Sequence, residues 1–187
     1  MLSLDFCSFT GTVPSPIFTM PDLEHLHLGG NYLTGTLPSN IGNATKLQTL
    51  TLGSSRHPTN NLSGTIPQGI SGLSELFFLE LSSNQISGTL PDSISQLRNL
   101  QYLFLRGNNL EGNISMISEL ESLVFFSSAQ NNLTGDLDVC GIPLLRHSEV
   151  DCASKEHRVT CECCNFCCSQ ELFDRGEGIF GCVPKLP

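Results

Sequence analysis

The strongest constraint on this chain is an internal repeat of about 24 residues. Leu23-Glu-His-Leu26-His-Leu28-Gly-Gly-Asn31-Tyr-Leu33-Thr-Gly35-Thr-Leu37-Pro38 returns as Leu100-Gln-Tyr-Leu103-Phe-Leu105-Arg-Gly-Asn108-Asn-Leu110-Glu-Gly112-Asn-Ile114. A period of that length means one supersecondary unit stacked on copies of itself. Each unit touches only its neighbours, and such stacks present extended binding surfaces.

The register holds from coil to coil. Leu26, Leu50, Leu79, Leu103 and Phe126 fill one position, at separations of 24, 29, 24 and 23 residues. Asn31, Asn60, Asn84, Asn108 and Asn131 fill a second. A third pattern, apolar-x-Gly-x-aliphatic, occurs six times, from Phe9/Gly11/Val13 to Leu133/Gly135/Leu137. Proline follows the first four (Pro14, Pro38, Pro67, Pro91) and gives way to Ser115 and Asp138 in the last two.

Elementary physics explains these residues. Leucines two apart on a strand point to one side, with the intervening residues on the other. One coil cannot hide its leucines, so neighbours must bury them in a continuous core. The Asn amide can satisfy backbone groups that would otherwise be buried unpaired. Glycine permits the next bend, and proline fixes a turn where no ladder N–H is needed. The expectation is an α/β solenoid: a parallel sheet on the concave side, with turns and short 3-10 or α helices on the convex side.

These motifs resemble the plant-type extracellular leucine-rich repeat, LxxLxLxxNxLxGxIPxxLxxLxx, over roughly residues 1 to 138. Val139-Cys140-Gly141-Ile142-Pro143-Leu144, ending at Cys152, resembles the LCGxPLxxC closing cap of plant receptors, with a longer spacer. That likeness implies a Cys140–Cys152 bridge pinning the last turn over the core. The run Cys161-Glu-Cys163-Cys164-Asn-Phe-Cys167-Cys168 resembles the cysteine-rich tails of microalgal leucine-rich-repeat proteins. The division is repeats over 1–138 and a cysteine-rich cap or tail over 139–187.

Eight of the nine cysteines lie in that second segment: Cys140, Cys152, Cys161, Cys163, Cys164, Cys167, Cys168 and Cys182. Such density beside an extracellular-type repeat reads as structural disulfides, whose pairing stays open. The alternative is thiolate binding of a soft metal at Cys164-x-x-Cys167, although adjacent cysteines do not match ordinary zinc-finger spacing. Cys7 stands apart, in the Asn position of the first repeat, where a small buried thiol is expected.

Two departures interrupt the pattern. About five extra residues lie between Leu52 and Asn60, a loop expected to bulge from one edge of the arc and a candidate contact at Arg56–Thr59. At the other end Phe126 and Ser128 replace the Leu-x-Leu pair, as terminal units do. Met1 opens inside a repeat, without the features of a signal peptide. This is the expected appearance of an excerpt of a longer protein.

The net charge of −9 argues against nucleic acid, whose phosphates need clustered Lys and Arg. Sequons at Asn43, Asn61, Asn113 and Asn132 are candidate glycosylation sites and agree with secretion. No phosphate loop, GxSxG elbow or HExxH is present, so the reading is not an enzyme and no cofactor is expected. His25 and His27 share a strand face, yet without a nearby carboxylate two solvated imidazoles are the favoured reading over a metal pair.

Recognition should sit on the residues facing out from the strands. The early rows are polar: Ser3 and Asp5, His25 and His27, Thr49 and Thr51. The later rows hold Phe78 and Glu80, then Tyr102, Phe104 and Arg106, then Phe125 and Ser127. Strands about 4.8 Å apart would join these aromatics into one patch. Aromatics with Arg are the usual composition of interface hot spots. The competing expectation is that the tail, or a second copy, covers them.

The family resemblance implies a receptor-ectodomain-like module binding a protein or peptide on its concave face, outside the cell. The alternatives are a secreted inhibitor of wall-degrading polygalacturonases and a cell-surface scaffold or adhesion protein whose ligand is carbohydrate. Membrane attachment would need segments outside this chain.

Overall fold

A computed structural model describes residues 1–54, 58–138 and 142–151, with short strands at 159–160, 166–168 and 182–184. Two sheets share the chain, and each of the first seven coils contributes one strand to each. The first contains β1 (Leu2–Ser3), β3 (His25–His27), β5 (Thr49–Thr51), β7 (Phe78–Glu80), β9 (Tyr102–Phe104) and β11 (Phe125–Ser127). It continues through β13 (His147–Asp151), β15 (Phe166–Cys168) and β16 (Cys182–Pro184) to nine strands, in that order. The second contains β2 (Thr10–Thr12), β4 (Tyr32–Thr36), β6 (Asn61–Gly64), β8 (Gln85–Thr89), β10 (Asn109–Asn113), β12 (Asn132–Asp136) and β14 (Val159–Thr160). All recorded strand pairs are parallel except β15 with β16.

In the first sheet, equivalent residues stand side by side. Leu26 pairs with Leu50, Leu50 with Leu79, Leu79 with Leu103 and Leu103 with Phe126. Leu79 and Leu103 are both 0% exposed, as the repeat register requires. The second sheet, which sequence reading treats as turns, is staggered. Thr12 pairs with Thr34, and Thr36 with Ser63, so each strand slides two residues past its neighbour. Glycine makes that strand possible. Gly35 has φ of +78°, and a Cβ there would lie 2.8 Å from the Thr12 methyl carbon of the preceding coil.

Between the second-sheet strand and the next first-sheet strand lie five 3-10 helices: Ser15–Thr19, Ile41–Asn43, Gln68–Gly72, Asp92–Gln96 and Ser115–Glu119. Pro14, Pro67 and Pro91 precede three of them in extended conformation, with φ from −66° to −73°. Each helix sends an isoleucine inward, and Ile41, Ile70, Ile94 and Ile117 are wholly buried against the leucines of both sheets. Among the described residues no helix is long and apolar enough to cross a membrane.

The Asn position forms a linked chain of hydrogen bonds through the stack. The Asn60 Oδ1 accepts from the Leu33 N–H, that of Asn84 from Leu62, and that of Asn108 from Ile86. Each amide nitrogen then donates to carbonyls at strand ends, in its own coil and in the coil before. Asn84 reaches Leu52 and Leu81, while Asn108 reaches Leu81 and Leu105. One carbonyl therefore receives two amides, and neighbouring coils are tied together.

Cys7 corrects the sequence reading: it is exposed, not buried. The asparagine amide of later coils lies between neighbouring strands. The first coil instead ends the sheet at β1, which pairs only with β3, so one side of Cys7 has no neighbour. Its thiol donates to the Asp5 carbonyl at 3.3 Å, and its backbone N–H donates to Asn31. Of the expected disulfide cysteines, Cys140, Cys152, Cys161, Cys163 and Cys164 lie outside the described residues. Cys167, Cys168 and Cys182 fall in β15 and β16, where only the backbone is described. Arg56 and His57 of the inserted loop also lie outside.

Candidate functional site

Strands β7, β9, β11 and β13 carry a row of rings on the open face of the nine-stranded sheet. The alternation of the strand puts Leu79, Leu103 and Phe126 into the core and their flanking residues onto that face. Phe78 meets Tyr102 with ring centroids 5.7 Å apart, and Phe104 at 5.5 Å. Phe104 meets Phe125 at 4.9 Å, and Phe125 stacks on His147 at 4.2 Å. All five rings are half-buried. The four aromatics expected from the sequence are thus together, and a fifth ring joins them.

His147 and Glu149 are the residues that sequence reading missed. The signal was Ser148-Glu-Val150, 22 residues after Phe126, where Ser148 occupies the leucine position. A polar residue in a core position hid the strand. Both Ser148 and Val150 are 0% exposed. Ser128, in the leucine position of the previous coil, is also buried, and its hydroxyl has no hydrogen-bond partner among the described residues.

The charged residues beside the row are engaged within the protein. Arg106, a candidate contact residue, pairs through Nη1 with the Glu149 carboxylate. Ser127, expected on a solvated face, is only 3% exposed and donates its hydroxyl to Glu149 Oε2 at 2.9 Å. Both contacts share one cause, the extra strand β13 laid beside β11. Thr49 is likewise buried rather than exposed, between β3 and β7.

Glu80 accepts a hydrogen bond from the Ser82 N–H at 2.6 Å. Burial raises the Glu80 carboxyl above its ordinary value of 4.5, and the Ser82 bonds offset part of that rise. A folded value above the unfolded one means that the folded state holds the proton more tightly. The stabilising contribution is therefore complete below pH 4.5 and is lost as pH rises through the folded value. Glu80→Gln, which cannot ionise, is expected to flatten that slope and to be more stable than wild type near neutrality. Urea midpoints of both proteins at about pH 4 and about pH 7 check this. Burial also lowers the His147 pKa, keeping the ring neutral at neutral pH.

His25 and His27 lie apart from the row, on β3 with β5 between. Their Nδ1 atoms share hydrogen bonds of 3.1 Å with Thr49 and Thr51. The near-parallel rings have centroids 6.5 Å apart, and no group of three or more His, Cys, Asp or Glu that could hold a metal ion occurs among the described residues. The four sequon asparagines are exposed: Asn43 ends a 3-10 helix, and Asn61, Asn113 and Asn132 stand in the second sheet.

Comparison with known proteins agrees with this architecture. Family models described as "Leucine rich repeat" match residues 59–110, and again 22–44 and 99–123. The chain is a plant-type leucine-rich-repeat protein. It is 36% identical over 70 residues to Receptor-like protein 31 of Arabidopsis thaliana, covering 37% of this chain and 8% of that one. Among solved structures, a TDR receptor superposes with a TM-score of 0.74 at 28% identity, covering 86% of this chain and 26% of the other. The plant peptide hormone receptor RGFR1, solved in complex with RGF2, superposes at 0.69 with 29% identity, covering 77% and 24%. This leucine-rich-repeat chain thus spans about a quarter or less of the length of these relatives.

Proposed function

We propose that this chain is a recognition module outside the cell, binding a protein or peptide on the open face of the nine-stranded sheet. One observation carries the reading: five rings in mutual contact on a face that the fold leaves uncovered by its own repeats. Clustered aromatics with partly exposed edges are the usual anchors of protein interfaces. The likeness to a peptide hormone receptor supports a peptide or protein partner. Glycans at Asn43, Asn61, Asn113 and Asn132 would leave this face open, since none stands on it. No catalytic step is proposed. Inhibition of a wall-degrading enzyme and carbohydrate adhesion would place their ligands on the same face and are outcomes of the same test.

The test is a displayed peptide library panned on the immobilised protein, followed by calorimetric titration of the selected peptide. Tyr102→Ala is expected to weaken binding by about 2 kcal/mol, roughly thirtyfold, without loss of fold because the ring lies outside the leucine core. Thr51→Ala, on the same sheet outside the row, should change affinity little. An affinity unchanged by Tyr102→Ala and Phe104→Ala together would sink the proposal.

A further inference from the structure

Resting on that proposed site, we infer that its ligand presents a basic side chain, lysine or arginine. The charged end of that side chain meets the Glu80 carboxylate, and its aliphatic stem lies along Phe78 and Phe104.

The strands set the arrangement. Phe78 and Glu80 flank Leu79 on β7, so both stand on the open face while Leu79 enters the core. Toward β9, Glu80 is paired with Phe104, whose ring meets Phe78 at 5.5 Å. Toward β5 it is paired with Thr51, which carries no charge. Neighbouring strands lie about 4.8 Å apart, so the carboxylate borders the ring row where that row gives way to threonines and histidines.

The carboxylate has no counter-charge of its own. Glu80 is half-buried, and the loss of hydration raises its pKa. Among the described residues no Lys or Arg answers that charge: Arg106, on the same face, is taken up by Glu149, and Lys46 pairs with Asp22. The Ser82 N–H, at 2.6 Å, is a neutral donor. The fold thus carries a desolvated acid that costs it stability near neutral pH. Groups kept at such a cost cluster at functional sites.

The carboxylate can also be reached. Only Ser82 engages it, and neither of its oxygens is sealed in the core without a partner. An ionised carboxylate has about four acceptor sites, so sites remain for a donor arriving from the open face. A charged donor is favoured over a neutral one, because its bond is about twice as strong and its charge replaces the hydration that burial removed. The ring edges beside Glu80 suit the methylene stem of Lys or Arg, which packs along apolar surface while its head stays polar. An acidic ligand group at the same place would meet like charge. The chain's net charge of −9 draws basic partners from a distance in the same sense.

The experiment pans one displayed peptide library separately on the whole wild-type chain and on Glu80→Gln, which keeps the side chain's shape. Peptides selected by wild type should share a Lys or Arg at one position, and those selected by Glu80→Gln should not. The leading wild-type peptide is then titrated with that residue intact and with norleucine in its place. The replacement should weaken binding to wild type about tenfold and to Glu80→Gln by no more than about twofold. A loss below about twofold on wild type overturns the inference, and that arm does not depend on how a variant folds. Equal losses in the two proteins, or wild-type peptides without a basic residue, overturn it as well. In each of these cases the proposed face stands if Tyr102→Ala and Phe104→Ala together still weaken the peptide. A library that yields no binder, or binders indifferent to both ring substitutions, overturns the face and this inference with it.

Discussion

Leu103→Ala is expected to destabilise the protein by about 2–5 kcal/mol, through lost contacts and the cavity left behind. Leu103 is 0% exposed and sits in the middle of the stack, with Leu79 in register on one side and Phe126 on the other. In a solenoid each unit is held by its two interfaces, so a central cavity weakens both at once. Leu2→Ala provides the contrast. Leu2 is half-buried on the edge strand β1 and pairs with Leu26 alone, so its truncation should cost clearly less. Urea unfolding followed by far-UV circular dichroism reads both values, and an unchanged slope with a shifted midpoint assigns the loss to stability. Equal midpoints for the two variants would contradict a stack in which Leu103 is central and Leu2 terminal.

Asn108→Ala should be nearly as damaging, at about 2–4 kcal/mol, although it removes no large apolar group. Asn108 is buried, and its Oδ1 is the acceptor for the Ile86 N–H. With alanine that N–H faces a void, and its full desolvation is uncompensated. The carbonyls of Leu81 and Leu105 fare better, because Asn84 and Asn131 still donate to them. The loss is therefore local, and amide exchange at Ile86 should accelerate before that at Leu62, whose acceptor is Asn84. Asn108→Asp separates donor from acceptor. Its carboxylate could still accept from Ile86 but would set negative charge against the Leu81 and Leu105 carbonyls, so it should be worse than alanine above the carboxyl pKa. An aspartate variant as stable as wild type at neutral pH would show that the shared carbonyls do not matter.

These two positions were legible in the sequence because they recur. A leucine or asparagine at a fixed place in successive units can only be a core or a linking residue, and the period states which units are neighbours. The same logic places Phe78, Tyr102, Phe104 and Phe125 on one face from spacing alone. It stops where the repeat weakens: Ser128 and Ser148 occupy leucine positions, so β13 carries no periodic mark, and His147 and Glu149 go unnoticed. With them goes the fate of Arg106 and Ser127, whose partner comes from that strand.

Other features lay beyond any single unit. The exposure of Cys7 depends on its coil ending the sheet, which an identical local motif inside the stack would not share. The second sheet depends on how far one coil slides past the next. Its two-residue stagger is set where Gly35, Gly64, Gly88 and Gly112 admit the threonine methyl of the coil before. The amino-acid sequence by itself determined the coil, its buried leucine, isoleucine and asparagine positions and the six copies that keep the period, because those follow from side-chain periodicity within one unit. Only the tertiary structure decided the register between coils at the second sheet, the extension of the first sheet past the repeats, and which charged groups found partners, because each depends on contacts between residues about 20 or more apart in the chain.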